Sequence, residues 1–155
     1  MKNPYLPLPM KIEKVLVETE DRNIMTFSLS FANGADKSDF NYVPGQFAEL
    51  SVLGKGEAPF GMASSPTQEG CLEFTVNKAG LLTTALHNME PGDIVGVRGP
   101  LGNGYPLEQL EGGNIVIIGG GFGFSTLRAL TNFMLDDRNR GRFGDITVIY
   151  GARNP

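Results

Sequence analysis

The chain has 155 residues, 41% hydrophobic and 19% charged, with a net charge of −4. This balance excludes a disordered chain, and its acidity lacks the electrostatic footprint of a nucleic-acid binder. One Cys and one His exclude a structural zinc site of about four ligands, a cluster held by about four cysteines and an internal disulfide.

Met1–Pro9 is predicted to be an extended lead-in stiffened by Pro4, Pro7 and Pro9, with no apolar run of the signal-peptide kind. Nothing later approaches the roughly 18 apolar residues of a membrane helix, so a cytoplasmic location without membrane insertion is expected. Lys11–Glu18 places Ile12, Val15 and Val17 among charges. Asn23–Phe31 alternates cleanly. Ile24, Thr26, Ser28 and Ser30 share one face, and Met25, Phe27, Leu29 and Phe31 the other, as in a half-buried strand. Ala32–Phe40 is polar and contains the turn pair Asn33-Gly34. Pro44-Gly45 precedes a strand at Gln46–Leu53, and Ala58–Pro66 reads as an irregular edge strand. Cys71–Lys78 alternates with Leu72, Phe74 and Val76 on one face. A short helix fits Leu81–Met89, and Asp93–Arg98 supplies a further strand. Strands at this spacing predict a small barrel or sandwich over residues 1–110.

The character changes after Leu110. Glu111-Gly112-Gly113 is a linker-like break, followed by the apolar run Asn114–Ile118 and then Gly119-Gly120-Gly121-Phe122-Gly123. Phe124–Asp137 has helical spacing at Leu127, Leu130 and Met134. Arg138–Gly144 is a polar turn, and Ile146–Tyr150 a second buried strand. Strand, glycine loop, helix and strand open a parallel α/β sheet. One such unit leaves an edge and a face uncovered. Residues 111–155 are therefore expected to be an incomplete unit, finished by further chain or by a partner.

Three segments carry candidate chemistry. The glycine run ends a strand and opens a helix, so its free N–H groups can cradle a phosphate, with Gly120, Gly121 and Gly123 closest to it. The same geometry also serves as a plain tight turn. Thr126 stands where the usual dinucleotide fingerprint has its last glycine. Gly80-Leu81-Leu82-Thr83-Thr84 follows a strand and opens a helix: an anion site or an ordinary cap. Ala58–Pro66 sets an aromatic before small residues, an edge strand or a shelf for a ring. Cys71 reads as a small packing residue, Asp136-Asp137 as a solvated helix end, and His87 has no nucleophile at catalytic spacing.

In this order the segments resemble the ferredoxin–NADP reductase superfamily, over essentially the whole chain. Pro44-Gly45-Gln46-Phe47 is similar to its turn and strand ahead of the flavin loop. Ala58–Ser64 is similar to its Arg-x-Tyr-Ser motif, and Gly80–Thr84 to its pyrophosphate loop. Glu90-Pro91-Gly92-Asp93 and Gly99-Pro100-Leu101-Gly102-Asn103 resemble its closing strand, Gly119–Leu130 its nucleotide loop, and Tyr150-Gly151-Ala152-Arg153 the end of its second nucleotide strand. Asn3-Pro4-Tyr5-Leu6-Pro7 and Glu57-Ala58-Pro59 look like the gamma subunits of sulfhydrogenases and anaerobic sulfite reductases. The electron-transfer subunit of dihydroorotate dehydrogenase is a near relative of these.

The resemblance implies an all-β Greek-key FAD-binding barrel followed by the start of an α/β nucleotide-binding domain. It implies FAD, with NAD(P)H as substrate, in an electron-transfer subunit serving iron–sulfur or hydrogenase/reductase-type partners. The implied cofactor-binding residues are Pro59, Phe60, Gly61, Met62, Ala63, Ser64, Asn77, Gly80, Leu82, Thr83, Thr84, Gly120, Gly121 and Gly123. Phe60 would stack on the flavin ring, and no side chain is expected to act as acid or base. The sequence departs from the family at Ala58 (Arg there), Phe60 (Tyr), Gly61 (Ser) and Thr126 (Pro), and lacks the family's late Cys-Gly motif. Those departures sustain an alternative: a docking scaffold that keeps the barrel with a weakened flavin site.

Overall fold

Six strands form one antiparallel sheet: β1 (Leu8–Val17), β2 (Ile24–Phe31), β3 (Phe47–Val52), β4 (Gly56–Gly61), β5 (Leu72–Asn77) and β6 (Ile94–Leu101). The structure, a computed structural model, describes residues 3, 5–32 and 40–152. The expected turn at Asn33-Gly34, together with Pro4 and Arg153, lies outside the described residues. Spatial order is β4-β3-β6-β1-β2-β5, so β6 lies between two ribbons that precede it in the chain. The outer strands approach at one isolated bridge, Met62 to Phe74. The sheet is thus barrel-like, as the sequence leads one to expect, but it is not fully closed.

Alternation decides which side chains enter the barrel. Met25, Phe27 and Leu29 of β2 and Leu72, Phe74 and Val76 of β5 are buried, joined by Met10, Leu50 and Val97 from the other strands. Each such side chain contributes roughly 1.5–3 kcal/mol by leaving water. In β1 the apolar spacing from Ile12 to Val15 breaks the period by one residue. The strand absorbs this with a register shift: Ile12 pairs with Leu29 and Lys14 with Ser28, leaving Glu13 as the extra residue of a bulge. Helix α1 (Leu81–His87) packs Leu82 and Leu86 into the same core.

A short helix α2 (Leu107–Leu110) leads to a second apolar cluster. Strand β7 (Ile115–Gly120), a 3-10 turn at Gly121–Gly123, helix α3 (Phe124–Leu135), helix α4 (Asp137–Arg140) and strand β8 (Ile146–Gly151) follow. β7 and β8 pair in parallel, Ile115 with Ile146 through Gly120 with Gly151. Ile115 and Ile117 pack against Leu130, Met134 and Phe143. The opposite face carries Val116, Ile118 and Ile149, all exposed.

Neither α2 nor α4 is foreseen from the sequence. Each is one turn long, too short for an apolar period to register. Asp136 is the N-cap of α4: its carboxylate accepts the Arg138 N–H at 3.0 Å. Among the described residues no helix is long and apolar enough to cross a membrane.

Candidate functional site

The two clusters meet across the outer face of β2 and β5, and the contact there is polar. The Thr26 hydroxyl donates to Glu18 Oε1 at 2.6 Å, so in its 2.8 Å contact with Thr75 it accepts. Arg128 of α3 lies over this pair, 3.7 Å from Glu18 and 3.8 Å from Glu73. That cover explains why Thr26, on the polar face by alternation, is buried. A second tie runs from Arg138 Nη2 to the Thr67 carbonyl at 2.7 Å. Asp136 holds that guanidinium, and Arg138 in turn keeps the Asp136 carboxyl well below the usual carboxylate range. At a third point, the end of β4, Gly61 abuts Thr126 of α3.

Beside the first of these ties, and sharing Glu18, Thr75 and Arg128 with it, lies a cleft of about 800 Å³. The hairpin joining β1 and β2 supplies Glu18, Thr19, Glu20, Asp21 and Asn23. Thr75 and Asn77 come from β5, and Gly121, Phe122, Phe124, Ser125, Arg128 and Tyr150 from the second unit. Asp21 accepts hydrogen bonds from the Thr19 hydroxyl (2.7 Å) and from the backbone and side-chain amides of Asn23 (3.0 and 2.8 Å). Those bonds, the Thr19 hydroxyl first, hold its carboxyl below the ordinary value, so this wall stays charged.

The glycine loop is built for close approach. A Cβ on Gly119 would sit 2.5 Å from Leu127 Cδ1 and 2.7 Å from Phe124 Cδ2, so any other residue there would make these side chains of α3 shift. Gly121 adopts φ +50, and neither it nor Gly123 has an atom within 4 Å of a built Cβ. Open space here faces the first turn of a 12-residue helix with no side-chain cap. The 3-10 turn runs on into α3, so the Phe124 N–H is already taken by the Gly121 carbonyl; the N–H groups left for a phosphate at this positive end are those of Gly121, Phe122 and Gly123.

At α1, the Thr83 hydroxyl accepts from the N–H groups of Ala79 and Gly80, both at 2.8 Å, and donates to the Gly80 carbonyl at 3.1 Å. Those two amides are therefore occupied, and Leu82 is turned into the barrel core. What remains for an anion is the first-turn N–H set of Leu81, Leu82 and Thr83, with open space beside Gly80.

The β4 segment requires a correction. Phe60 pairs with Ala48, which faces the core, so the Phe60 ring shares that inward face and is 9% exposed. It is a core residue and not a platform for a ring outside the barrel. Met62, Ala63 and Ser64 are buried too; the Ser64 hydroxyl lies 3.0 Å from Tyr42 Oη and accepts the Glu73 N–H at 3.0 Å. Of this stretch Pro59 opens outward and Gly61 is half-exposed. Of the residues expected to hold cofactor, Asn77 and Gly121 line the cleft itself. The Glu18–Asn23 wall was missed, because a charged hairpin reads as a solvated turn. Phe124 and Arg128 had a usable signal: at i and i+4 they share one face of α3. Among the described residues no cluster of three metal-ligating side chains occurs.

The sequence profile of the oxidoreductase FAD-binding domain matches residues 10–105. The gamma subunit of sulfhydrogenase 1 from Pyrococcus furiosus is 40% identical over 151 residues, covering 97% of this chain and 50% of that protein. A probable electron-transfer subunit of dihydroorotate dehydrogenase B (NAD(+)) from Thermococcus kodakarensis is 33% identical over 116 residues, covering 75% of this chain and 44% of that protein. The structure of an NADH-dependent reduced ferredoxin–NADP oxidoreductase superimposes with a TM-score of 0.74 at 27% identity, covering 99% of this chain and 50% of that one. The chain spans about half the length of the relatives it matches. The superfamily resemblance is borne out, as is the likeness to sulfhydrogenase gamma subunits and to the dihydroorotate dehydrogenase electron-transfer subunit.

Proposed function

We propose, for a chain that belongs to the oxidoreductase FAD-binding domain family, that it carries FAD and moves electrons between NAD(P)H and an iron–sulfur partner subunit of a larger oxidoreductase. One observation supports this reading: the glycine loop, at Gly121, and the barrel wall, at Thr75 and Asn77, line one cleft. In this assignment residues 1–110 hold the flavin, and residues 111–155 begin the unit that holds the pyridine nucleotide. The work is assigned to the cytoplasm, where NAD(P)H is available.

The residues present fit FAD through backbone and open space rather than through side chains. Gly61 and Pro59 present the β4 edge, Gly80 clears the approach to the free N–H groups of α1, and Asn77 reaches the cleft. Gly120, Gly121 and Gly123 would take the pyrophosphate of the dinucleotide. Bound FAD supplies the conversion between a hydride and single electrons; the chain orients the groups and excludes water. Arg98 does not replace the arginine that the family resemblance implies at Ala58, since it is tied to Glu57.

The test is the purified protein itself. Absorbance near 450 nm, with acid-released FAD on chromatography, is the expected result, and bleaching by NADH or NADPH follows in the assembled oxidoreductase. Release of FMN alone overturns the cofactor assignment. A colourless protein that still captures its partner favours the docking-scaffold alternative, which the inward Phe60 and the missing arginine support.

A further inference from the structure

Gly61 and Thr126 lie far apart in the sequence, and the fold brings them into contact. Gly61 ends β4 on the barrel, and Thr126 lies in the first turn of α3, beside the glycine loop. A Cβ built on Gly61 would overlap the Thr126 methyl group, Cγ2, while Thr126 Cβ itself would stand 3.7 Å away, an ordinary contact. The methyl therefore occupies the volume that any side chain at position 61 needs. Threonine in a helix has two χ1 rotamers, and the one seen here points its hydroxyl at the Gly123 carbonyl, 3.4 Å away, so turning the methyl aside gives up that contact.

We propose that Gly61 and Thr126 form a positioning pair that sets how closely the glycine loop approaches the flavin edge of the barrel. The proposal rests on the flavin–nucleotide reading above and names residues that set its geometry. A side chain at position 61 would lever α3 outward unless position 126 shrinks with it. Hydride transfer is steep in distance: about 1 Å of misplacement costs around 100-fold.

The test is a double-mutant cycle with Gly61→Ala, Thr126→Ala and the pair together, read in two ways. Thermal unfolding of the cofactor-free chain should show Gly61→Ala lowering Tm and the pair recovering most of the loss, because only Cβ atoms then meet. In the holoprotein, Gly61→Ala should slow flavin reduction by NADH or NADPH roughly 10- to 100-fold with FAD retained, and adding Thr126→Ala should restore the rate to within about threefold. Additive Tm changes overturn the pair, as does a Gly61→Ala rate equal to wild type. Loss of FAD from Gly61→Ala that Thr126→Ala does not rescue also overturns it, making Gly61 a flavin contact only. A wild-type chain that takes up no flavin overturns the functional reading instead, and the Tm cycle still decides the steric pairing.

Discussion

At the scale of single residues, Tyr42 and Gly80 separate what stabilises the fold from what serves a ligand. Tyr42 is buried, and its hydroxyl donates to the Ser64 carbonyl at 2.9 Å. Burial raises its pKa to about 12 from an ordinary 10.0. The folded state thus keeps this proton after the unfolded chain has lost it. The associated stability, on the order of 2–3 kcal/mol, is whole below pH 10 and drains away between pH 10 and 12. Tyr42→Phe should flatten the fall of Tm across that window, and a decline unchanged from wild type would assign alkaline unfolding to other groups. Gly80 has an extended backbone that any residue adopts and no neighbour for a Cβ. Gly80→Ala should therefore leave Tm within about 1 kcal/mol equivalent while weakening FAD binding several-fold by flavin-fluorescence titration. Undiminished affinity would make the loop a helix cap and nothing more.

At the scale of elements, the seating of α3 on β7 depends on Gly119. Gly119→Ala would force a methyl against Leu127 and Phe124 and should cost about 1–3 kcal/mol, read as a lower denaturation midpoint. The same elements show what a sequence makes legible. β2, β5 and α1 lie within a residue or two of their expected bounds, because alternation and a helical start are local signals. The glycine loop is equally local. The inward turn of Phe60 is not: it follows from the Ala48 register with β3, a pairing that no local pattern encodes. Ser64 is similar, since its hydroxyl is claimed by Tyr42, 22 positions away in the chain. Phe60, Met62, Ala63 and Ser64 therefore look right by motif and are buried once the strands pair. The charged hairpin is the converse, made into a wall only when α3 lies opposite it.

At the scale of the whole molecule, two apolar clusters are joined by a polar seam, and one face of the β7–β8 sheet is bare. Ile118 and Ile149 stand opposite one another on that face, 70% and 51% exposed. Contiguous exposed apolar surface of this kind favours association. Ile118→Lys with Ile149→Lys should shift the isolated chain toward monomer in gel filtration without lowering Tm. Persistent oligomers would locate the association elsewhere.

The position of β6 between β3 and β1 also governs how the barrel comes into being. Leu8 pairs with Val97, about 90 positions later, so this is a closure of high contact order and correspondingly slow. A chain emerging from the ribosome can form the β3–β4 ribbon and the β1–β2–β5 ribbon early, yet each keeps an unpaired edge. The same eight residues, Ile94–Leu101, close both edges at once. Until they emerge, the nascent barrel is two adhesive ribbons, and the interval before β6 docks is when this protein most needs a chaperone.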